Sequence, residues 1–115
     1  MSRSEMREPV FWILTALTQG RQHGYAIIQD ASRLSGGAVV LPVTTLYASL
    51  ERLEKEGLVR ADGDEVVSGR VRRYFALTPA GESRLVLEAD RLEAKVFTVR
   101  SQLSLRPALI LGGIA

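Results

Sequence analysis

Apolar positions in this chain fall into helical spacing four times and strand-like alternation once, in an order that can be read directly. The first run, PVFWILTALTQG, predicts a helix over about residues 6–18, with Pro9 in its first turn and Gly20 after its end. Val10, Phe11, Trp12, Ile13, Leu14 and Leu17 leave it almost no polar face, so it should be buried on more than one side. In so thin a domain, the second side points to another subunit. A second helix is predicted over about Tyr25–Ser35, with Ile27, Ile28, Ala31 and Leu34 on one face and Gly36-Gly37 ending it. The third pattern lies in AVVLPVTTLYASLERLEKEGLV. Pro42 signals the start, Val43, Leu46, Leu50 and Leu53 recur at three- and four-residue spacing, and Gly57 is the natural stop. Its opposite face carries Thr44, Thr45, Ala48, Arg52 and Lys55, with Ser49 at the edge. The N-terminal half of that face is small and neutral, while Glu51, Glu54 and Glu56 collect towards the C-terminal end. Such a helix suits a polyanion lying against its N-terminal half, where the helix dipole also helps.

The alternating pair follows. LVRAD and EVVSGRVRRYFAL predict two strands joined at Ser68-Gly69, a two-residue hairpin signal. A symmetric register about that turn sets Glu65 opposite Arg72 and Asp64 opposite Arg73, and leaves Arg70 at the tip with no acid opposite. Two readings of Arg70, Arg72 and Arg73 stay open. Arg72 and Arg73 could serve cross-strand ion pairs, or the three could reach for phosphate. Thr78-Pro79 then restarts helix, Thr as N-cap and Pro at the first helical position. Leu85, Ala89, Leu92, Val96, Val99 and Leu103 fall at spacings of 4, 3, 4, 3 and 4, an unbroken heptad seam ending before Pro107. A helix of that length is about 40 Å long, too long to lie wholly against this small domain. The expectation is a coiled-coil-like dimer seam, with packing on the chain's own core as the alternative. Phe97 sits off the seam and should be exposed unless something covers it.

Composition changes this picture only at the edges. At 115 residues, with 46% apolar and 24% charged residues, the chain is one folded domain and not a disordered one. The expected division is a DNA-binding unit over 1–78, a dimerisation helix over 79–106 and an apolar tail over 107–115. No cysteine is present and His23 is the sole histidine, which removes thiol chemistry and Cys- or His-rich metal sites, so no cofactor or metal is expected. His23, near a helix start, reads as a structural cap more readily than as a ligand. No Gly-rich phosphate loop precedes a helix, and the acids look dispersed over solvent faces, so catalysis is not expected. No apolar run approaches the roughly 20 residues that span a bilayer, and the absence of cysteine suits a reducing cytoplasm. A net charge of +2 decides nothing about nucleic acid, but thirteen of the fifteen cations are arginine, whose planar fork suits phosphate and guanine.

Three helices, a hairpin and a long helix form the element order of a winged helix-turn-helix with a dimerisation helix appended, a mainly α fold. In that fold the second helix of the helix-turn-helix enters the major groove and the hairpin is a wing beside it. HGYAI at 23–27, TLYASLERLEKEGLV at 45–59 and GRVRRYFALTPAG at 69–81 carry a resemblance to the PadR-like transcriptional regulators, in their small single-domain form. The resemblance covers about residues 6–103. Departures include Arg21, where the family often has proline, and Ala48, again often proline. The resemblance implies a homodimeric repressor that binds a pseudo-palindromic operator in double-stranded DNA and releases it when a small molecule binds. It also implies that Thr45, Tyr47, Ser49 and Arg52 occupy recognition-helix positions, with Tyr25 similarly placed and Thr44 beside them. An apolar pocket between subunits, near the first and last helices, would take an aromatic or apolar effector, with Phe11, Trp12 and Phe97 as its candidates. Plain packing of those aromatics is the alternative. The rival function is a winged helix that binds protein and not DNA, for which Glu51 and Glu56 speak.

Overall fold

A computed structural model describes residues 6–107. The apolar tail, for which either dimer docking or a frayed end was expected, lies outside the described residues from 108 onwards. In chain order the elements are α1 (Glu8–Ala16), β1 (Gln22–His23), α2 (Gly24–Leu34), α3 (Val43–Lys55), β2 (Val59–Val67), β3 (Arg70–Leu77) and α4 (Pro79–Ser104). The expected winged helix-turn-helix is present, with one addition. Gln22 and His23 pair antiparallel with Phe75 and Tyr74, so the sheet has three strands in the order β1-β3-β2. Two residues are too few to leave an alternating pattern, which is why the hairpin alone was legible.

The hairpin forms as its turn chemistry requires. Ser68 (φ 53°) and Gly69 (φ 77°) are both left-handed, as a two-residue type I′ turn demands. Beyond it Glu65 lies opposite Arg72 and Asp64 opposite Arg73, the symmetric register. The register then slips between Ala61 and Asp64, around Gly63 at φ 92°. This bulge bends the wing where it leaves the core.

The core collects one stripe from each helix. Ile13, Leu14 and Leu17 from the first helix and its end meet Ile27 from α2, Leu46, Leu50 and Leu53 from α3, and Val59 and Phe75 from the sheet. Val10 and Trp12 pack on this cluster half-buried, so α1 is covered on more than one side, as its apolar pattern required. Val43, expected on the α3 stripe, is instead 59% exposed. At 100° per residue it falls about 60° from Leu46, at the stripe's edge and in the first turn. His23 caps α2, its Nδ1 accepting from the Ala26 amide at 3.4 Å.

The start of α4 is fixed tightly. The Thr78 hydroxyl accepts from the Gly81 amide at 3.0 Å and donates to the Gly57 carbonyl at 2.6 Å. A Cβ at Gly81 would run into the Leu58 carbonyl, so the first turn of α4 packs directly against the α3–β2 connection. Further along, the helix leaves the domain. Leu85 is half-buried against the core, while Ala89, Leu92, Val96, Val99 and Leu103 are all exposed. Among the described residues no helix is long and apolar enough to cross a membrane, and no group of three or more acids and histidines could hold a metal ion.

One expectation about the acids is overturned. Glu88 is not on a solvent face but 3% exposed. It takes a two-pronged hydrogen bond from Arg91, Nε to Oε1 at 3.1 Å and Nη2 to Oε2 at 2.6 Å. That bond holds its carboxyl below the ordinary glutamate range against the opposing effect of burial, and the Arg91 charge, the Met6 amide and Lys95 act the same way. Helical spacing could not reveal this, because the Met6 amide that meets the carboxylate comes from ahead of α1. A lowered folded pKa means that the Glu88 contribution is complete above the ordinary value of about 4.3 and disappears as pH falls through the folded value. Glu88→Gln should therefore cost about 1–2 kcal/mol at pH 7. The difference from wild type should shrink as pH falls below the ordinary glutamate value and vanish only once pH is below the lowered folded value. Thermal denaturation at pH 7 and across the acid range checks this.

Candidate nucleic-acid interface

The outer face of α3 divides by angle, taking Leu46 as zero and 100° per residue. Thr44, Ala48 and Lys55 form its crest and are exposed. Thr45, Ser49 and Arg52 form one flank, Tyr47, Glu51 and Glu54 the other. Each flank opens on a groove. On the first, Thr45, Ala48, Ser49 and Arg52 face Arg7, Glu8 and Pro9 at the N-terminal end of α1. On the second, Tyr47 faces Tyr25 on α2 and Arg70, Arg72 and Arg73 on the wing. Eight of the nine residues expected to meet DNA thus line two grooves astride one helix. Thr44 is exposed on the first turn and lines neither.

Within the second groove, Tyr47 is 45% exposed and Tyr25 64% exposed, so neither is simply core. Tyr47 lies across the start of α2, where a Cβ on Gly24 would collide with its hydroxyl. Gly24 thus admits the tyrosine into the groove, a close approach that the HGY triplet hints at only in hindsight.

Strand alternation separates the three arginines. Arg70 and Arg72 share a face with Tyr74, and Arg73 shares the other face with buried Phe75. That places Arg73 in a recess with Glu51 and Glu54 of α3. The cross-strand ion pairs of the first reading are not formed among the described residues, although the register is the symmetric one. Among the described residues, ion pairs join Asp30 to Arg33, Arg60 to Asp62 and Glu88 to Arg91, and none forms at the wing arginines. Glu65 instead accepts the Tyr74 hydroxyl. That hydrogen bond, aided by partial burial and the carboxylate charge, holds the Tyr74 phenol above its usual pKa against the charges of Arg21 and Arg72.

Around Tyr74 a cluster has formed that no linear motif announced. The Arg21 guanidinium stacks 4.3 Å from its ring centroid and donates to the Asp62 carbonyl at 2.7 Å, bracing the bulge. His23 meets the same ring edge-on, centroids 5.5 Å apart. Arg7 was also missed. It stands ahead of α1 and reaches the Arg52 groove only through the packing of α1 on α3.

The aromatic candidates for an effector pocket are dispersed within one chain. Phe11 and Trp12 meet edge to face at 4.9 Å, and the Trp12 indole donates to Glu8 at 2.9 Å. Phe97 projects from α4, 72% exposed, as its position off the seam predicted.

Comparison with known proteins agrees with this architecture. The chain is 40% identical over 81 residues to the transcriptional regulator Rv3488 of Mycobacterium tuberculosis, covering 70% of this chain and 72% of that one. It is 42% identical over 88 residues to an uncharacterized 37.1 kDa protein in transposon TN4556 of Streptomyces fradiae, 74% of this chain but only 24% of that protein. A crystal structure of Bacillus subtilis PadR in complex with operator DNA shares the fold, with a TM-score of 0.61 and 22% identity over 69% of this chain and 45% of that chain. Residues 13–86 match the model of the transcriptional regulator PadR-like family. With most of the winged helix inside that match, the chain belongs to the PadR-like family of transcriptional regulators.

Proposed function

We propose that the chain is a dimeric, sequence-specific DNA-binding repressor acting in the cytoplasm on a pseudo-palindromic operator. The observation that carries the reading is the pair of grooves astride α3, one with Thr45, Ser49 and Arg52, the other with two exposed tyrosines and the wing arginines. Small hydroxyl side chains and one arginine on a helix suit base edges in the major groove. Arg70 and Arg72, which close no ion pair among the described residues, suit phosphate, whereas Arg73 sits beside Glu51 and Glu54 and contributes less. Residues 1–78 are the DNA-binding unit in this reading, and residues 79–106 hold the dimer together through the exposed α4 seam. Dimerisation would also bring a partner's first helix over Phe97, completing a pocket with Phe11 and Trp12 for a planar apolar effector.

Competition of labelled duplex from the chain's own upstream region against random duplex tests the reading. The expected result is a clear preference for the upstream duplex, with Arg52→Ala relaxing that preference by about 1–3 kcal/mol per lost bidentate base contact. No binding to either duplex contradicts it and favours the protein-binding alternative, for which the acidic flank of α3 speaks.

A further inference from the structure

Arg72 stands on the central strand between two possible partners. On one side is Glu65, directly opposite on β2 and of opposite charge. On the other is His23 on β1, whose Nε2 lies 3.4 Å from Arg72 Nη1. Directly opposed charges on a sheet normally pair. Here they do not, and Tyr74, two residues along the same face, donates its hydroxyl to the Glu65 carboxylate instead. Nor does His23 compensate the arginine. An imidazole 3.4 Å away brings no negative charge to the guanidinium, whichever ring nitrogen carries the proton. Arg72 therefore keeps an uncompensated charge in the groove shared with Tyr25 and Tyr47.

We propose that Tyr74 is a positioning residue for DNA binding: its hydroxyl detains Glu65 and so leaves Arg72 free to meet a phosphate. The proposal rests on the DNA-binding reading above. Tyr74 itself faces Arg21 and His23 with its ring, and its role requires no contact with DNA. Its raised pKa agrees with the hydroxyl staying protonated and donating.

The test is a double-mutant cycle of Tyr74→Phe and Glu65→Gln, read as affinity for a random-sequence duplex at low salt. Tyr74→Phe keeps the ring under Arg21 and frees the carboxylate. Glu65 should then close on Arg72, and affinity should fall about two- to fivefold for each wing, the strength of an exposed ion pair that DNA must break. In the Glu65→Gln background the same tyrosine change should cost nothing, because the amide has no charge to capture Arg72. A merely structural role for the hydroxyl would leave the loss in both backgrounds and overturn the proposal, as would unchanged affinity in Tyr74→Phe. If the wild type binds no duplex, the functional reading fails, and the cycle is then read on the Arg72 Nε–Hε NMR signal. A shift in Tyr74→Phe that Glu65→Gln reverses supports the detained carboxylate. An unmoved signal overturns it.

Discussion

Replacing Arg70, Arg72 and Arg73 together with alanine should weaken binding to specific and random DNA alike. If two of the three meet phosphate in each subunit, a dimer loses four contacts, and the slope of log affinity against log salt should become shallower by about three to four units. Between 50 and 200 mM salt the wild type should therefore lose roughly a hundredfold more affinity than the variant. Folding stability should barely move, since exposed ion pairs contribute about 0–1 kcal/mol and these arginines close none among the described residues. Of the single changes, Arg70→Ala and Arg72→Ala should each carry more of the loss than Arg73→Ala, because Arg73 lies beside Glu51 and Glu54. Unchanged affinity and slope in the triple variant would show that the wing does not touch DNA.

The second large effect concerns the subunit contact. Leu92 and Val96 are 36% and 51% exposed on the stretch of α4 that has left the domain. Changing both to aspartate leaves the fold of one chain intact but, in a paired seam, buries charge without a partner at a cost of several kcal/mol. The wild type should sediment as a dimer and the variant as a monomer. The variant should also lose operator affinity steeply, because the two half-sites then bind independently. A wild-type monomer at micromolar concentration contradicts this account.

Much of the fold was legible because each element carries its own punctuation. Thr78-Pro79 and Gly57 mark real helix ends, Ser68-Gly69 a real I′ turn, and the register of Asp64 and Glu65 follows from that turn alone. What escaped was set by packing. Gln22 and His23 become a strand only because β3 offers a free edge, and Glu88 is met by the Met6 amide, far away in sequence. Candidate DNA contacts were legible as residue types on one helix face and one hairpin. Their partners were not. That Glu65 holds Tyr74 and not Arg72, and that Arg21 braces a bulge 41 residues away, depends on which side chains three strands bring to one face. Local sequence contains no record of that choice.

The central claim is that the groove-lined face of α3 and the wing bind DNA largely by displacing counterions. Its most direct test is the affinity of the wild-type protein for its own upstream duplex across a salt titration. If about six phosphates are neutralised, affinity should fall by roughly a thousandfold between 50 and 200 mM salt, linearly on logarithmic axes. A flat response over the same range, or no binding at its low-salt end, would contradict the account.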